Sequence, residues 1–225
     1  MTHQLAFDLP ARASLRREDF FVSPANAVAL ATVEGGNWPL GKLLLIGPEG
    51  AGKTHLAHIW ARRCGAVILN GAALARTDVE AQSHTPVVVE EAEAVAGDPR
   101  AEAALFHLHN RLAERHMSLL LTARKPSRDW GLGLPDLLSR MQGAAIARLE
   151  APDDALLSAT LVKLFADRQI AVTPSLVPWL VVRMDRSLAA ARALVARLDA
   201  EALARGGPVT RQLAAELLDS CRDCT

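Results

Sequence analysis

The stretch Gly47-Pro-Glu-Gly-Ala-Gly-Lys53-Thr54 constrains the fold of this 225-residue chain more than any other part of it. It satisfies the pattern GxxxxGK[ST]. It lies between an apolar run, Lys42 to Ile46, and a segment with Leu56, Ile59 and Trp60 at helical spacing. Strand, glycine-rich loop and helix in that order make a phosphate cradle. The glycines let successive backbone N–H groups turn inward, and the helix N-terminus adds a favourable dipole. The pattern assigns phosphate contact to Gly47, Pro48, Glu49, Gly50, Ala51, Gly52, Lys53 and Thr54, and to His55 at the helix start. Lys53 is expected to reach the β- and γ-phosphates, and the Thr54 hydroxyl to ligate Mg²⁺. The expected cofactors are therefore ADP or ATP with Mg²⁺.

Around the loop, strand-like and helix-like segments alternate. Short apolar runs at Ala66 to Leu69, Pro86 to Val89, Ser118 to Thr122 and Ala144 to Leu149 read as interior parallel strands. Between Pro99 and His116 a helix places Leu105, Leu108 and Leu112 on one face. After Pro152 the strand signal stops and helices follow, with Gly206-Gly207-Pro208 before the last of them. The reading is an α/β chain: a parallel sheet covered on both faces over residues 20–150, then a small all-helical lid over 151–225. Within the alanine-rich helix of that lid, Leu188, Val195, Leu198 and Leu203 are expected to form the apolar face. Residues 1–19 read as a tail.

A phosphate cradle needs an acid at the end of a neighbouring strand. Pro86-Val-Val-Val-Glu90-Glu91 supplies two: Glu90 is expected over the metal, and Glu91 beside the attacking water. Glu is one methylene longer than the usual Asp, which leaves the catalytic geometry open. Thr122, ending the Ser118 strand, is the candidate sensor of the γ-phosphate.

Several function classes are disfavoured. The chain carries 25 basic and 25 acidic residues, and DNA binding through phosphate contacts needs a basic excess or a basic face. No direct sequence-specific DNA binding is expected. Cys64 reads as a small apolar helix residue, and Cys221-Arg-Asp-Cys224 lacks the second ligand pair of a zinc site. The seven histidines complete no ligand set and read as structural. No apolar run reaches the roughly 18–20 residues that span a bilayer, and the N-terminus has no signal-peptide pattern, so a cytoplasmic location without membrane contact is expected.

Six segments together carry a resemblance: FFVSPAN (Phe20 to Asn26), GPEGAGKTHLAH (Gly47 to His58), VVVEEAEAVAGD (Val87 to Asp98), LLLTARKPSRDW (Leu119 to Trp130), GLPDLLSRM (Gly133 to Met141) and Arg186-Ser-Leu188. In this order they resemble the DnaA/Hda family of AAA+ proteins. The likeness is to the AAA+ domain of the bacterial replication initiator DnaA, and more closely to the short Hda-type relatives that inactivate it. The resemblance implies that Val22 to Asn26 lie along the adenine and ribose, with Val22 and Asn26 as the contacts. It implies that Arg140 is an arginine finger presented to nucleotide on a neighbouring subunit. Arg186 matches the lid arginine that touches nucleotide in cis, with Arg192 a competing candidate. The opening peptide QLAFDLP resembles the segment that Hda-type proteins insert into the β sliding clamp of DNA polymerase III; Gln4, Leu5, Phe7 and Leu9 would be its anchors. DnaA itself continues past the lid into a helix-turn-helix domain, whereas this sequence ends at Thr225.

The implied partners are DnaA and the clamp, with self-association a further option. The implied activity is stimulation of DnaA-bound ATP hydrolysis, which blocks re-initiation, with weak turnover of the chain's own nucleotide. The alternative is a self-sufficient AAA+ ATPase such as a helicase loader. A small-molecule P-loop kinase is disfavoured by the all-helical segment after Pro152.

Overall fold

The computed structural model describes residues 15–222, with side chains described to Asp219. The QLAFDLP peptide and Cys224 lie outside the described residues. The elements run α1 (Ala27–Gly35), β1 (Lys42–Ile46), α2 (Lys53–Cys64), β2 (Val67–Asn70), α3 (Val79–Gln82), β3 (Val87–Glu90), α4 (Pro99–Glu114), β4 (Leu119–Ala123), α5 (Pro135–Gln142), β5 (Ala145–Arg148), α6 (Asp154–Asp167), α7 (Leu176–Val181), α8 (Leu188–Arg205) and α9 (Arg211–Arg222), with short 3-10 turns between several of them.

The five strands form one sheet in the order β2-β3-β4-β1-β5, and the pairings are all parallel. β1 is buried along its whole length, as expected of a strand covered on both faces. Side chains of a strand point alternately to the two faces, so each strand feeds two cores. Leu44, Ile46, Val87, Val89, Leu119 and Leu121 pack under α4 and α5. Leu43, Leu45, Val88 and Leu120 pack on the other side with Leu30 and Val33 of α1 and Leu56 and Trp60 of α2.

The helices after Pro152 have a separate core, built from Leu157, Leu161, Phe165, Leu180, Val195, Leu198 and Leu213 among others. In α8 the buried face is Leu188, Ala191, Leu194, Val195, Leu198 and Ala202, while Leu203 is exposed. Leu203 was expected on the apolar face; Ala202 takes that place, four residues on from Leu198. Helix starts follow their capping residues. Asp98 accepts from the Arg100 and Ala101 N–H groups ahead of α4, Asp153 from Leu156 ahead of α6, and Ser187 from Ala189 and Ala190 ahead of α8. Among the described residues, no helix is long and apolar enough to cross a membrane.

This topology carries the carboxyl ends of β1, β3 and β4 to one edge of the sheet. Leu45 pairs with Thr122 and Val89 with Leu121, so the P-loop, Glu90-Glu91 and Thr122 emerge side by side.

Candidate functional site

The P-loop turns through two left-handed glycines, Gly50 (φ 70°) and Gly52 (φ 101°), and Gly52 directly precedes the first residue of α2. A side chain at either position would strain the turn. The Lys53 ammonium folds back and donates to the carbonyls of Gly47 and Pro48, at 2.7 and 2.8 Å. Burial pushes the Lys53 pKa down, and the Glu93 carboxylate is the strongest influence in the opposite direction.

A cavity of about 280 Å³ opens over this loop, lined by Glu49, Gly50, Gly52, Lys53, Thr54, His55, Glu91, Glu93, Thr122, Arg124 and Arg192. The buried Thr122 hydroxyl accepts the Glu91 N–H at 3.1 Å, which leaves its own proton available to donate into the cavity. Glu91 adopts a left-handed conformation (φ 52°, ψ 47°), and its Oε2 accepts from the Asn70 amide at 3.2 Å. A non-glycine residue held at positive φ is an uncommon arrangement that clusters at functional sites. Glu93 Oε1 accepts the Arg124 N–H at 2.7 Å; its Oε2 is buried without a hydrogen-bond partner. The Arg124 guanidinium pairs with Glu49 at 3.1 Å.

A second cavity, of about 480 Å³, lies between the segment before α1 and the lid. Phe20, Phe21, Leu156, Leu164 and Leu188 give it apolar walls, and Asp19, Asn26, Lys163 and Arg168 a polar rim. His55 and Arg192 line both cavities, so the two run on as one cleft with an apolar end and a cationic end. His55 Nε2 lies 2.9 Å from the Arg16 carbonyl, and its ring meets Phe20 edge-on at 5.2 Å. A carbonyl only accepts, so Nε2 carries the proton, and burial keeps the imidazole pKa below its ordinary value. Burial likewise lowers the Arg192 pKa.

Three expected contact residues are placed outside this cleft. Val22 is about half exposed and lines neither cavity; Phe20 and Phe21 line the cleft in its stead. Arg186 pairs with Asp154 at 2.6 Å on the exposed side of the lid, and the lid arginine in the cleft is Arg192. Glu90 points toward α2: its Oε2 is 3.9 Å from His58 Nε2, and its Oε1 is buried without a partner. Asn26 does line the cleft, but its amide is occupied locally, accepting from the Ser23 N–H and donating to the Phe21 carbonyl. Glu93, Arg124 and Phe20 were not singled out from sequence. The only signal for Glu93 is its place two residues after Glu91.

The oxygen donors present suit Mg²⁺, a hard cation that takes oxygen ligands. Thr54 and Glu93 line the cavity, and Glu93 holds a buried carboxylate oxygen without a partner; the unpartnered oxygen of Glu90 lies outside it. Among the described residues no group of three or more His, Cys, Asp or Glu forms a metal site by itself. An ion held here would share phosphate oxygens with the nucleotide, the usual coordination for this cation.

Arg140 lies at the other edge of the sheet. It is exposed near the end of α5, and its charge depresses the pKa values of Lys42, at the start of β1, and of His109 on α4, in each case after burial. The P-loop leaves the opposite end of β1, about 13 Å away at 3.3 Å per residue.

No protein-family model matches the chain. Solved structures do match. Domain III of the Thermotoga maritima replication initiation protein DnaA superposes with a TM-score of 0.78 at 17% identity, over 94% of this chain and 98% of that one. The chain has the fold of DnaA domain III. A replication initiator DnaA bound to AMPPCP and single-stranded DNA matches with a TM-score of 0.70 at 17% identity, over 87% of this chain and 68% of that one. A Thermotoga maritima RuvB mutant reaches 0.65, also at 17%, over 89% and 70%. Identity does not separate the two kinds of neighbour, and the likeness establishes the AAA+ P-loop fold common to them.

Proposed function

We propose that this chain is a nucleotide-holding AAA+ regulator of replication initiation that acts on DnaA. The cleft holds ADP or ATP, with the base between Phe20 and Leu188 and the phosphates over Lys53. Thr54 and a neighbouring carboxylate hold Mg²⁺, whose charge offsets that of the phosphates. Thr122 and Arg192 touch the phosphate end, so both report which nucleotide is present. Gln4, Leu5, Phe7 and Leu9 anchor the chain on the DNA-loaded β sliding clamp, and Arg140 reaches nucleotide bound by DnaA. A cation placed against charge developing on the transferred phosphoryl group is worth around 10³–10⁵ in rate. Hydrolysis then leaves DnaA with ADP, which prevents re-initiation.

The position of Arg140 carries this reading. It stands at the edge of the sheet remote from its own P-loop, so a nucleotide it serves belongs to another subunit. The test mixes the protein with clamp-loaded DNA and DnaA carrying labelled ATP, and compares wild type, a chain lacking residues 4–9, and Arg140→Ala. Both variants should lose most of the stimulation. Stimulation equal to wild type in both would end the proposal.

A second reading, a self-sufficient ATPase such as a helicase loader, draws on Glu91, Glu93 and Thr122 standing around the chain's own Lys53. Appreciable turnover by the protein alone, abolished by Glu91→Gln, would favour it.

A further inference from the structure

Glu102, in the first turn of α4, is almost fully buried yet touches neither cavity of the nucleotide cleft. Its carboxylate is a junction of three backbone donors from two segments, one 5 residues before it and the other 31 and 32 residues after. Oε1 accepts the N–H of Gly97 and the N–H of Gly133, each at 3.1 Å, and Oε2 accepts the N–H of Leu134 at 2.8 Å. Burial alone pushes the carboxyl pKa up; the bonds from Gly133, Gly97 and Leu134 together outweigh it, and the group stays below the usual carboxylate range. It is therefore an anion at neutral pH, and charge-assisted bonds of this kind are about twice as strong as neutral ones.

The segments it joins matter. Gly97 closes the turn that follows Glu90, Glu91 and Glu93, the acids at the nucleotide end of the sheet. Gly133 and Leu134 are the last residues before α5, and Leu134, its N-cap, contributes no side-chain cap. Beyond these bonds, α5 is seated on the sheet by Leu137 and Met141, both buried in the α4-side core. Apolar contacts are non-directional and leave a short helix free to slide or roll on its seat. Hydrogen bonds at its N-cap and the residue before it fix its height and rotation. Arg140 follows Leu134 by six residues, about 9 Å along the axis at 1.5 Å per residue.

We propose that Glu102 is a positioning residue for Arg140, tying the helix that presents this cation to the acid-bearing turn of the chain's own nucleotide site. This rests on the reading of Arg140 as the group that serves DnaA-bound nucleotide. A shift of 1 Å in such a group costs as much as 10²-fold in rate, so loss of the anchor acts on the chemical step rather than on docking.

The experiment uses full-length protein in the clamp-dependent assay above. It compares wild type, Arg140→Ala, Glu102→Gln, which keeps the side-chain shape and one carbonyl acceptor, and Glu102→Asp, which keeps the charge but withdraws it by one methylene. Rate at saturating protein is measured separately from the concentration giving half-maximal stimulation. Binding of fluorescent ADP to the chain itself and amide exchange over residues 131–142 are followed in parallel. Both Glu102 variants should lower the saturating rate by about 10- to 100-fold. Half-saturation and ADP affinity should hold within twofold, with faster exchange confined to the α5 segment. A saturating rate like wild type, or a loss of rate that tracks global unfolding or loss of ADP binding, overturns the proposal. If Arg140→Ala itself stimulates like wild type, the reading beneath the inference fails. Failure with Glu102 alone leaves that reading standing.

Discussion

The backbone N–H of Leu188 donates to the carbonyl of Gly50 at 2.9 Å, so the first turn of α8 rests directly on the P-loop. The Ser187 side chain completes the contact. A Cβ placed on Gly50 would lie 1.9 Å from Ser187 Oγ, with φ at 70°. Gly50→Ala should therefore cost about 1–3 kcal/mol from the left-handed backbone alone, and more if the lid is forced off the loop. The melting temperature should fall by about 2–4 °C for each kcal/mol lost. Adding Ser187→Gly should return only the part due to the clash, less the few tenths of a kcal/mol of the α8 cap it removes. Full recovery in the double variant would mean that backbone strain contributes nothing.

Lys53 donates to two backbone carbonyls, and both oxygens belong to the loop that phosphate would occupy. Binding exchanges them for bonds to anionic phosphate oxygens, with charge on both partners. Lys53→Ala should weaken ADP by about 10- to 100-fold, from the 1.5–3 kcal/mol of a hydrogen bond to a charged group. Because its partners are local, the melting temperature without nucleotide should change little. Equilibrium titration with a fluorescent ADP beside a thermal melt checks both halves.

The sheet was legible because its signals are local. β1 falls on the apolar run Lys42 to Ile46, and the strands that follow lie within a residue or two of their apolar runs. The P-loop was legible for the same reason, since its geometry is set by its own glycines. What surrounds the phosphates was less so. Glu90 and Glu91 are adjacent in sequence, but the left-handed turn at Glu91 sends one toward His58 and the other into the cavity. Arg192 and Arg186 are both lid arginines in sequence. Which one reaches the cleft depends on how α8 meets the P-loop, a tertiary fact with no local signature. The three donors converging on Glu102 likewise come from residues 5 to 32 positions away.

The two arginines make a direct comparison. Arg192 lines both cavities and is largely withdrawn from solvent, whereas Arg186 forms an exposed pair with Asp154. Arg192→Ala should weaken ADP or ATP by about tenfold or more, the scale of a desolvated charged contact. Arg186→Ala removes a surface pair worth about 0–1 kcal/mol and should leave nucleotide affinity unchanged within twofold. The reverse order would restore Arg186 as the lid arginine of the cleft.

His109 sets an acid limit on stability. It is buried on α4, and burial first, with the Lys42 and Arg140 charges behind it, pulls its pKa from 6.5 to about 4 against the opposing hydrogen bond that its Nδ1 donates to Asn110 Oδ1. Above pH 6.5 the imidazole is neutral in both folded and unfolded chains, and its full contribution is present. Between pH 6.5 and 4 the unfolded chain takes up a proton that the native one refuses. Stability should fall there by about 1.4 kcal/mol per pH unit, roughly 3 kcal/mol in all, and this contribution should level off below pH 4. His109→Gln removes the titration and keeps a polar group beside Asn110. The difference in unfolding free energy between wild type and this variant, measured in urea at pH 7.5, 6, 5 and 4, should therefore tilt toward the variant as pH falls. A pH-independent difference would show that His109 titrates normally in the folded chain, and that neither burial nor the Lys42 and Arg140 charges depress its pKa.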